Sequence, residues 1–456
     1  TGSALTVDHN LGSVPGMMWI KRSDSAGNWR VFHRSVGATK ALRLNGNDVP
    51  TTDSSFFNDT EPTSTQFTVG TDLSDSGGSF VAYLFAHNNN DGGFGSTGDQ
   101  DIIKCGVYDG DGSSSNSISL GFEPQFIIIK NITETWSWLL FDNIRGITHY
   151  GTDDEKYFVL ENTSAEAASG NFLALSADGF KLTVNNANTN NSGKQYIYMA
   201  IRRGPMQTPT AATSVFDVQK YTGDGSQNRK FTTNFVVDAN ITSGFTINYR
   251  TCWGARLFDG MHETSQTAVS YYALANWMGY DHNDGFIAGE NTNYSYQNAS
   301  SQDYVSYSFS RAPKFFDVVT YAGDGSSNRA VAHNLEVAPE FIVIKSIANA
   351  DNWRVTTTDA FPDGYTFGSG QVQTGVSAFS GASTPNATNF YVSNDGEVNA
   401  SGRSYVAYLF ATLAGISKVG TYSGTGNDVN VDCGFTNGAR FVLVKRKDSS
   451  GDWYHW

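Results

Sequence analysis

The residues with the clearest capacity for chemistry are acids held in tight glycine turns. Asp109 and Asp111 stand in YDGDGSSSN, which begins at Tyr108, and related turns begin at Tyr221 (YTGDGSQNR), Tyr321 (YAGDGSSNR) and Tyr422 (YSGTGNDV). Two carboxylates in one short loop could gather the oxygen ligands that a calcium ion requires. The second acid is lost in the last turn, however, and the first occurs only once, whereas a β-turn in which Gly supplies positive φ accounts for every copy. The turn reading is therefore the expectation, with no metal site and no cofactor.

His9 and His333 recur beside Asn10 and Asn334, but no second His or carboxylate recurs with them, so they read as hydrogen-bonded turn residues rather than ligands or acid–base groups. Cys105, Cys252 and Cys433 are odd in number and far apart, which provides neither a disulfide framework nor a zinc site, and they read as small buried apolar residues. A glycosidase needs two carboxylates facing across a sugar, yet Glu61, Glu123, Glu161, Glu290 and Glu336 fall at non-equivalent places. No G-x-S-x-G nucleophile turn has a strand-to-helix context. No catalytic residue is assigned, and the expectation is a protein that is not an enzyme.

Aromatic side chains are the remaining hint of binding, because sugar rings stack on Tyr and Trp faces while Asn and Asp take the hydroxyls. The stretch ENTNYSYQNASSQDY (290–304) and the pair Trp136 and Trp138 are the candidates, although aromatics of a sandwich more often serve its core. Ligand-binding residues are otherwise left open.

These residues must be positioned by a long chain of 456 residues, enough for several cores rather than one. Gly 47, Tyr 22, Phe 30 and Trp 9 against only 16% charged residues favour short aromatic strands joined by turns. A formal net charge of -14 repels phosphate backbones and anionic membranes, so nucleic acid is not an expected partner. No apolar run reaches the length of a membrane span, and no charged and apolar leader opens the chain, so membrane insertion is not expected either.

The four glycine turns recur roughly every 100 to 113 residues. A second element follows in the same order: PGMMWIKR ending at Arg22, PQFIIIKN at Asn131, SGFTINYR at Arg250, PEFIVIKS at Ser346 and ARFVLVKR at Arg446. Its lysine recurs as Lys21, Lys130, Lys345 and Lys445, with Tyr249 in that place in the third copy. Phe67, Phe180, Phe286 and Phe390 open a further strand, and SFVAYLFA, QYIYMAIR, DYVSYSFS and SYVAYLFA close each copy. Duplication follows, with β-sandwich repeats expected at 1–98 (truncated at its N-terminal side), 101–204, 215–312 (divergent), 315–414 and 416–456 (truncated at its C-terminal side). The chain thus reads as a window on a longer polypeptide. Composition shifts at 87–100 and 202–214 mark the longer joins, and the shorter joins of the second half predict a stiffer array there.

The fold class expected is all-β, a tandem array of antiparallel, jelly-roll-like β-sandwich domains. FIIIK, FIVIK and FVLVK are continuous β-branched and aromatic runs, the pattern of a central strand covered on both sides. Asp24 to Trp29 and Asp448 to Trp453 share an Asp-x-x-Gly-x-Trp turn whose Trp should pack back onto its sheet. One helix is expected as a local insertion over 263–278.

The string GF(E/T)-x-x-(F)(I/V)(I/L)(I/V)K, then Trp, then LFDNIRG (140–146) with Thr148, DGFKL (178–182) and SYVAYLFA, resembles a repeat domain of unknown function in virion structural proteins of marine phages, chiefly cyanophages. That resemblance implies a tail-fibre-like or other particle-surface protein located in the virion. It also implies no known catalytic residues. The expectation is a structural protein of a bacteriophage particle, a tail fibre or surface appendage, partnered by other virion proteins and by itself as a homo-oligomer, with host-surface carbohydrate as a further contact. A capsid decoration protein or carbohydrate-binding adhesin is the alternative, and a polysaccharide depolymerase the more remote one. The stretch that differs most between copies, VFHRSVGATK (31–40), LFDNIRG (140–146) and VTTTDAFPDG (355–364), reads as a variable loop and the first place to seek a ligand surface.

Overall fold

Runs of β-branched and aromatic residues punctuated by Gly, Asn and Asp form strands almost throughout: 40% of the chain is strand and 3% helix, in several antiparallel sheets, an all-β fold of sandwich type. The computed structural model describes residues 3–95, 98–145, 147, 156–168, 170–204, 206–245, 251–258, 260–264, 271–272, 278–280, 282–289, 297–347, 349–367 and 377–456. Packing divides the chain into two compact units, Thr1–Ile147 with Gly151–Gly204 and Pro205–Trp456.

One strand order recurs in both units. In 103–202 an opening strand Ile103–Asp109 pairs with the closing strand Gln195–Arg202, which pairs with the central strand Pro124–Asn131; this pairs with Trp138–Asp142, which pairs in turn with Lys156–Val159. The facing sheet holds Asn116–Ser119, Gly179–Leu182 and Leu173–Ser176. In 216–309 the same order runs Phe216–Thr222, Asp303–Phe309, Ala239–Gly244, Cys252–Ala255, Gly260–Glu263, and in 316–410 it runs Phe316–Ala322, Ser404–Phe410, Phe341–Ser346, Arg354–Thr357. The first set, 5–86, has the closing strand Phe80–Ala86 at one edge, followed by Pro15–Arg22, Arg30–His33, Lys40–Arg43 and Thr51–Thr52. Near the C-terminus Leu443–Lys445 pairs with Trp453–His455.

Within each set the core lies between the two sheets. Met18, Ile20 and Phe32 meet Phe67 and Val69 in the first, and Tyr221 and Tyr304 meet Phe231 and Phe286 in the third. Central strands are buried on both faces: Ile127, Ile128 and Ile129 point alternately to opposite sides, yet all are inaccessible. The continuous apolar run at this place is what a sheet between two layers requires.

Three expectations need correction. In the third set the strand paired with the closing strand is Ala239–Gly244, with Ser243 opposite Val305, so that strand begins well before SGFTINYR. Lys345 lies opposite Val406 in the fourth set, so Ser243 and not Tyr249 takes the lysine's place; residues 246–250 lie outside those described. Of the helix expected over 263–278, residues 265–270 and 273–277 lie outside those described, while Tyr271–Tyr272 and Met278–Gly279 are strand. The stretches at 31–40, 140–146 and 355–364 are not simple loops: each begins in the strand beside the central one, with Phe32, Phe141 and Val355 buried.

Candidate functional site

Three of the four glycine turns, those at Tyr108, Tyr221 and Tyr321, are closed by hydrogen bonds, whereas Tyr422 of the fourth is 53% exposed. The Tyr108 hydroxyl donates to the Thr189 carbonyl at 2.6 Å, Tyr221 to Gln297 at 2.6 Å, and Tyr321 to Val398 at 2.7 Å. Each of these rings stacks on the first tyrosine of its closing strand, Tyr196, Tyr304 and Tyr405, at 5.2, 5.3 and 5.4 Å. The second acid of each turn accepts from a backbone N–H two residues on, from Ser113, Ser226 and Ser326. An asparagine from the facing loop, Asn190, Asn298 or Asn399, donates to the carbonyl of that same serine.

These bonds favour the charged form. Bonds from Ser226 and Asn298 hold the Asp224 carboxyl down to about 2. Asp324 also lies at about 2, because bonds from Ser326 and Asn399 outweigh the burial that would push it up. The first glycine of each turn makes the close approach possible: a Cβ on Gly110, Gly223 or Gly323 would stand 2.3, 2.0 or 2.1 Å from the carbonyl oxygen of Asn191, Ala299 or Ala400. The second, at Gly112, Gly225 and Gly325, has φ of +72 to +74°. Among the described residues no group of three His, Cys, Asp or Glu is placed to hold a metal ion. Sequence reasoning found the turn but missed its asparagine, whose signal is an Asn six residues before the closing-strand tyrosine.

The other candidate residues are scattered. His9 and His333 each accept a backbone N–H on Nδ1, from Leu11 and Leu335, and place Nε2 on a carbonyl, of Thr63 and Asn386. Glu61 accepts from the Ala38 N–H, Glu161 from the Trp138 N–H, and Glu123 pairs with Arg203 at 3.5 Å. Glu290 lies outside the described residues, as do 291–296 of the Tyr- and Asn-rich stretch. Cys105 and Cys252 are buried and Cys433 only partly so, with burial pushing the Cys105 thiol up to about 12. The recurring lysine secures the hairpin after its strand: Lys21 donates to the Gly27 carbonyl at 2.7 Å, Lys345 to Asn349 at 3.2 Å, and Lys445 to Gly451.

What the structure does bring together is a seam between neighbouring sets. In the first unit Met17, Val31 and Leu42 of 5–86 form one cluster with Cys105, Ile128, Trp138, Ile197 and Met199 of 103–202. Trp138, inaccessible to solvent, donates its indole N–H across this seam to the Arg43 carbonyl at 2.8 Å. In the second unit Trp353 donates to the Glu263 carbonyl at 3.0 Å and Trp453 to the Thr366 carbonyl at 3.0 Å. All three tryptophans stand at or just before the start of the strand beside the central one; Arg43 and Glu263 close the next strand of the preceding set, and Thr366 follows Tyr365, which bridges Val355 there. Trp453 therefore docks on the preceding set and does not pack back on its own sheet as expected. Trp138 is unavailable to a sugar, while Trp136, 40% exposed, bonds Glu134.

Polar groups are buried in these seams. His33 sets Nε2 at 3.1 Å from the Tyr198 carbonyl, and burial pushes its pKa down to about 4. Burial, with the Lys345 charge nearby, takes His262 to about 3. Lys130 and Lys345 are inaccessible, and burial lowers each to about 8. Lys130 donates to Asn47 of the first set as well as to Asn131 of its own. In the second unit a cavity of about 1180 Å³ opens where three sets meet, lined by Phe216, Phe309, Phe341, Phe410, Phe441 and Trp453 together with Asp359, Arg440 and Lys445.

Antiparallel sheets stacked within and between sets define an all-β protein of sandwich type. The chain belongs to the family of the Domain of unknown function (DUF7483), whose model matches residues 1–205 and 211–456, two segments that meet where the two compact units do. No curated protein and no solved structure matches it.

Proposed function

We propose that this chain is a structural protein of a bacteriophage particle, a tail fibre or surface appendage built from tandem copies of one all-β domain, associating with other virion proteins and with itself. The observation that carries the structural role is the seam. The second, fourth and C-terminal sets each direct a tryptophan N–H at the set before them, so within each unit successive sets are held as one body. A particle appendage needs this property, since force applied at one end must reach the other without domains swinging apart. The acids of the glycine turns and the recurring histidines support the same reading, because their hydrogen bonds hold turns together. The phage assignment rests on the resemblance of the motif strings to virion proteins. Immunogold electron microscopy of purified particles, with antibody raised against this chain, tests it. Label on tail appendages is the expected result; label over the capsid favours the decoration role, and no label on any particle overturns the virion reading.

The aromatic cavity of the second unit favours one other reading, a carbohydrate-binding adhesin in which rings stack on Phe and Trp faces beside charged groups. Quenching of tryptophan fluorescence by host-surface oligosaccharides, removed in Trp453→Ala, distinguishes it.

A further inference from the structure

The closing strand Phe80–Ala86 and the closing-strand stretch 405–411 carry nearly the same sequence, FVAYLFA and YVAYLFA, yet stand in opposite surroundings. In both, the first, third and fifth residues face the core of their own set; Phe80, Ala82 and Leu84 do so in the first. The alternate residues face outward. In the fourth set Val406 and Tyr408 are 0% and 1% exposed, and Trp253 of the third set covers Tyr408 at 5.2 Å. In the third set Val305 and Tyr307 are 8% and 4% exposed, and Phe441 of the C-terminal segment covers Tyr307 at 4.7 Å. In the first set Val81 and Tyr83 are 36% and 48% exposed.

We propose that this face of the first set, centred on Tyr83 with Val81 and Trp29, is a self-association surface that takes the same face of a second copy of the chain. Three observations choose that occupant. In both sets where the equivalent tyrosine is covered, the cover is an aromatic ring from another set of the same chain, Trp253 or Phe441, so the chemistry that fits this face is that of the chain itself. Trp29 already stands 5.9 Å from Tyr83 and supplies such a ring, so two copies related by a twofold axis place Trp29 of each against Tyr83 of the other. The patch also continues an interface already built, because Phe85, the next outward residue, packs into the seam with the second set. The inference deepens the self-association included in the proposed function and rests on that part of it. Its test is independent of where the protein sits in a particle.

Sedimentation equilibrium of the 456-residue chain, from about 1 to 100 μM, decides it. The expected result is a monomer–dimer equilibrium weakened about 30-fold or more by Tyr83→Glu, as for a central aromatic anchor, with the circular dichroism spectrum unchanged because Tyr83 is half exposed. Phe245→Glu, at an aromatic 59% exposed in the third set, serves as control and should leave the equilibrium as it is. A wild-type chain that stays monomeric throughout, or a dimer that Tyr83→Glu leaves intact, overturns the proposal. Immunogold labelling of particles by a chain found monomeric would leave the virion reading standing while removing this surface.

Discussion

Trp136 and Trp138 lie two residues apart and allow the seam to be tested within one unit. Trp138→Phe removes the N–H that the Arg43 carbonyl accepts at 2.8 Å and leaves that carbonyl in a partly buried place, a loss of about 1–2 kcal/mol. Shrinking an indole that is 1% exposed adds about 1 kcal/mol for the void. The sum, about 2–3 kcal/mol, should lower the melting temperature of a unit of this size by roughly 4–12 °C. Trp136→Phe, at a residue 40% exposed, should stay within about 0.5 kcal/mol of the wild type. Differential scanning calorimetry reads both. A double-mutant cycle of Trp138→Phe with Leu42→Ala then locates the effect, because Leu42 belongs to the first set and Trp138 to the second, and one shared cluster should couple them by more than about 0.5 kcal/mol. Equal, silent behaviour of the two tryptophans, or strict additivity in the cycle, would refute the claim that an indole lock holds these sets together.

Two further outcomes follow from the same geometry. His33 at about 4 and His262 at about 3 both lie below the histidine range, so the unfolded chain takes up protons first as pH falls. Their contribution is therefore complete above about pH 6.5 and declines below it, by about 2 kcal/mol for each histidine at pH 5. Melting temperature measured from pH 7 to 4.5 should fall, and less steeply in His262→Asn; an unchanged slope in that variant removes His262 from the account. Gly323→Ala should destabilise the second unit by about 2 kcal/mol or more, since its Cβ would meet the Ala400 carbonyl at 2.1 Å. Gly381→Ala, at a glycine with φ of +76° and nothing within 4 Å, should cost only about 1 kcal/mol for its backbone conformation. Urea denaturation separates the two, and equal costs would show that close approach is not what Gly323 provides.

Strands were legible from the sequence where side-chain type and turn residues agree, as in FIIIK bounded by Pro124 and Asn131. They were misplaced in the third set, where polar Asn240, Thr242 and Ser243 replace the apolar run, so ANITSG does not look like a central strand. It remains one because Asn240 bonds Ser306 and Ser308 across the ladder, a pairing that hydropathy cannot reveal. The glycine turns were read correctly as turns, but their asparagine partners lie some 75 residues away along the chain and become neighbours only through the closing strand. The tryptophans were visible, and their destination was not. Nothing in Asp-x-x-Gly-x-Trp says whether the ring turns to its own sheet or to another.

The closing strand carries more of this information than its role as an edge or centre would suggest. A strand of a two-layer sandwich with one wet face alternates apolar and polar residues. YVAYLFA does not alternate, because its odd positions meet the facing sheet and its even positions meet another set. A closing strand apolar on both faces therefore signals a further cover beyond its own two sheets, and QYIYMAIR follows the same rule with Ile197 and Met199 in the seam. By that argument FVAYLFA of the first set is built for a cover on its outward face. Its valine and tyrosine are the residues a second sheet would desolvate, as in the two sets whose covers are already in place.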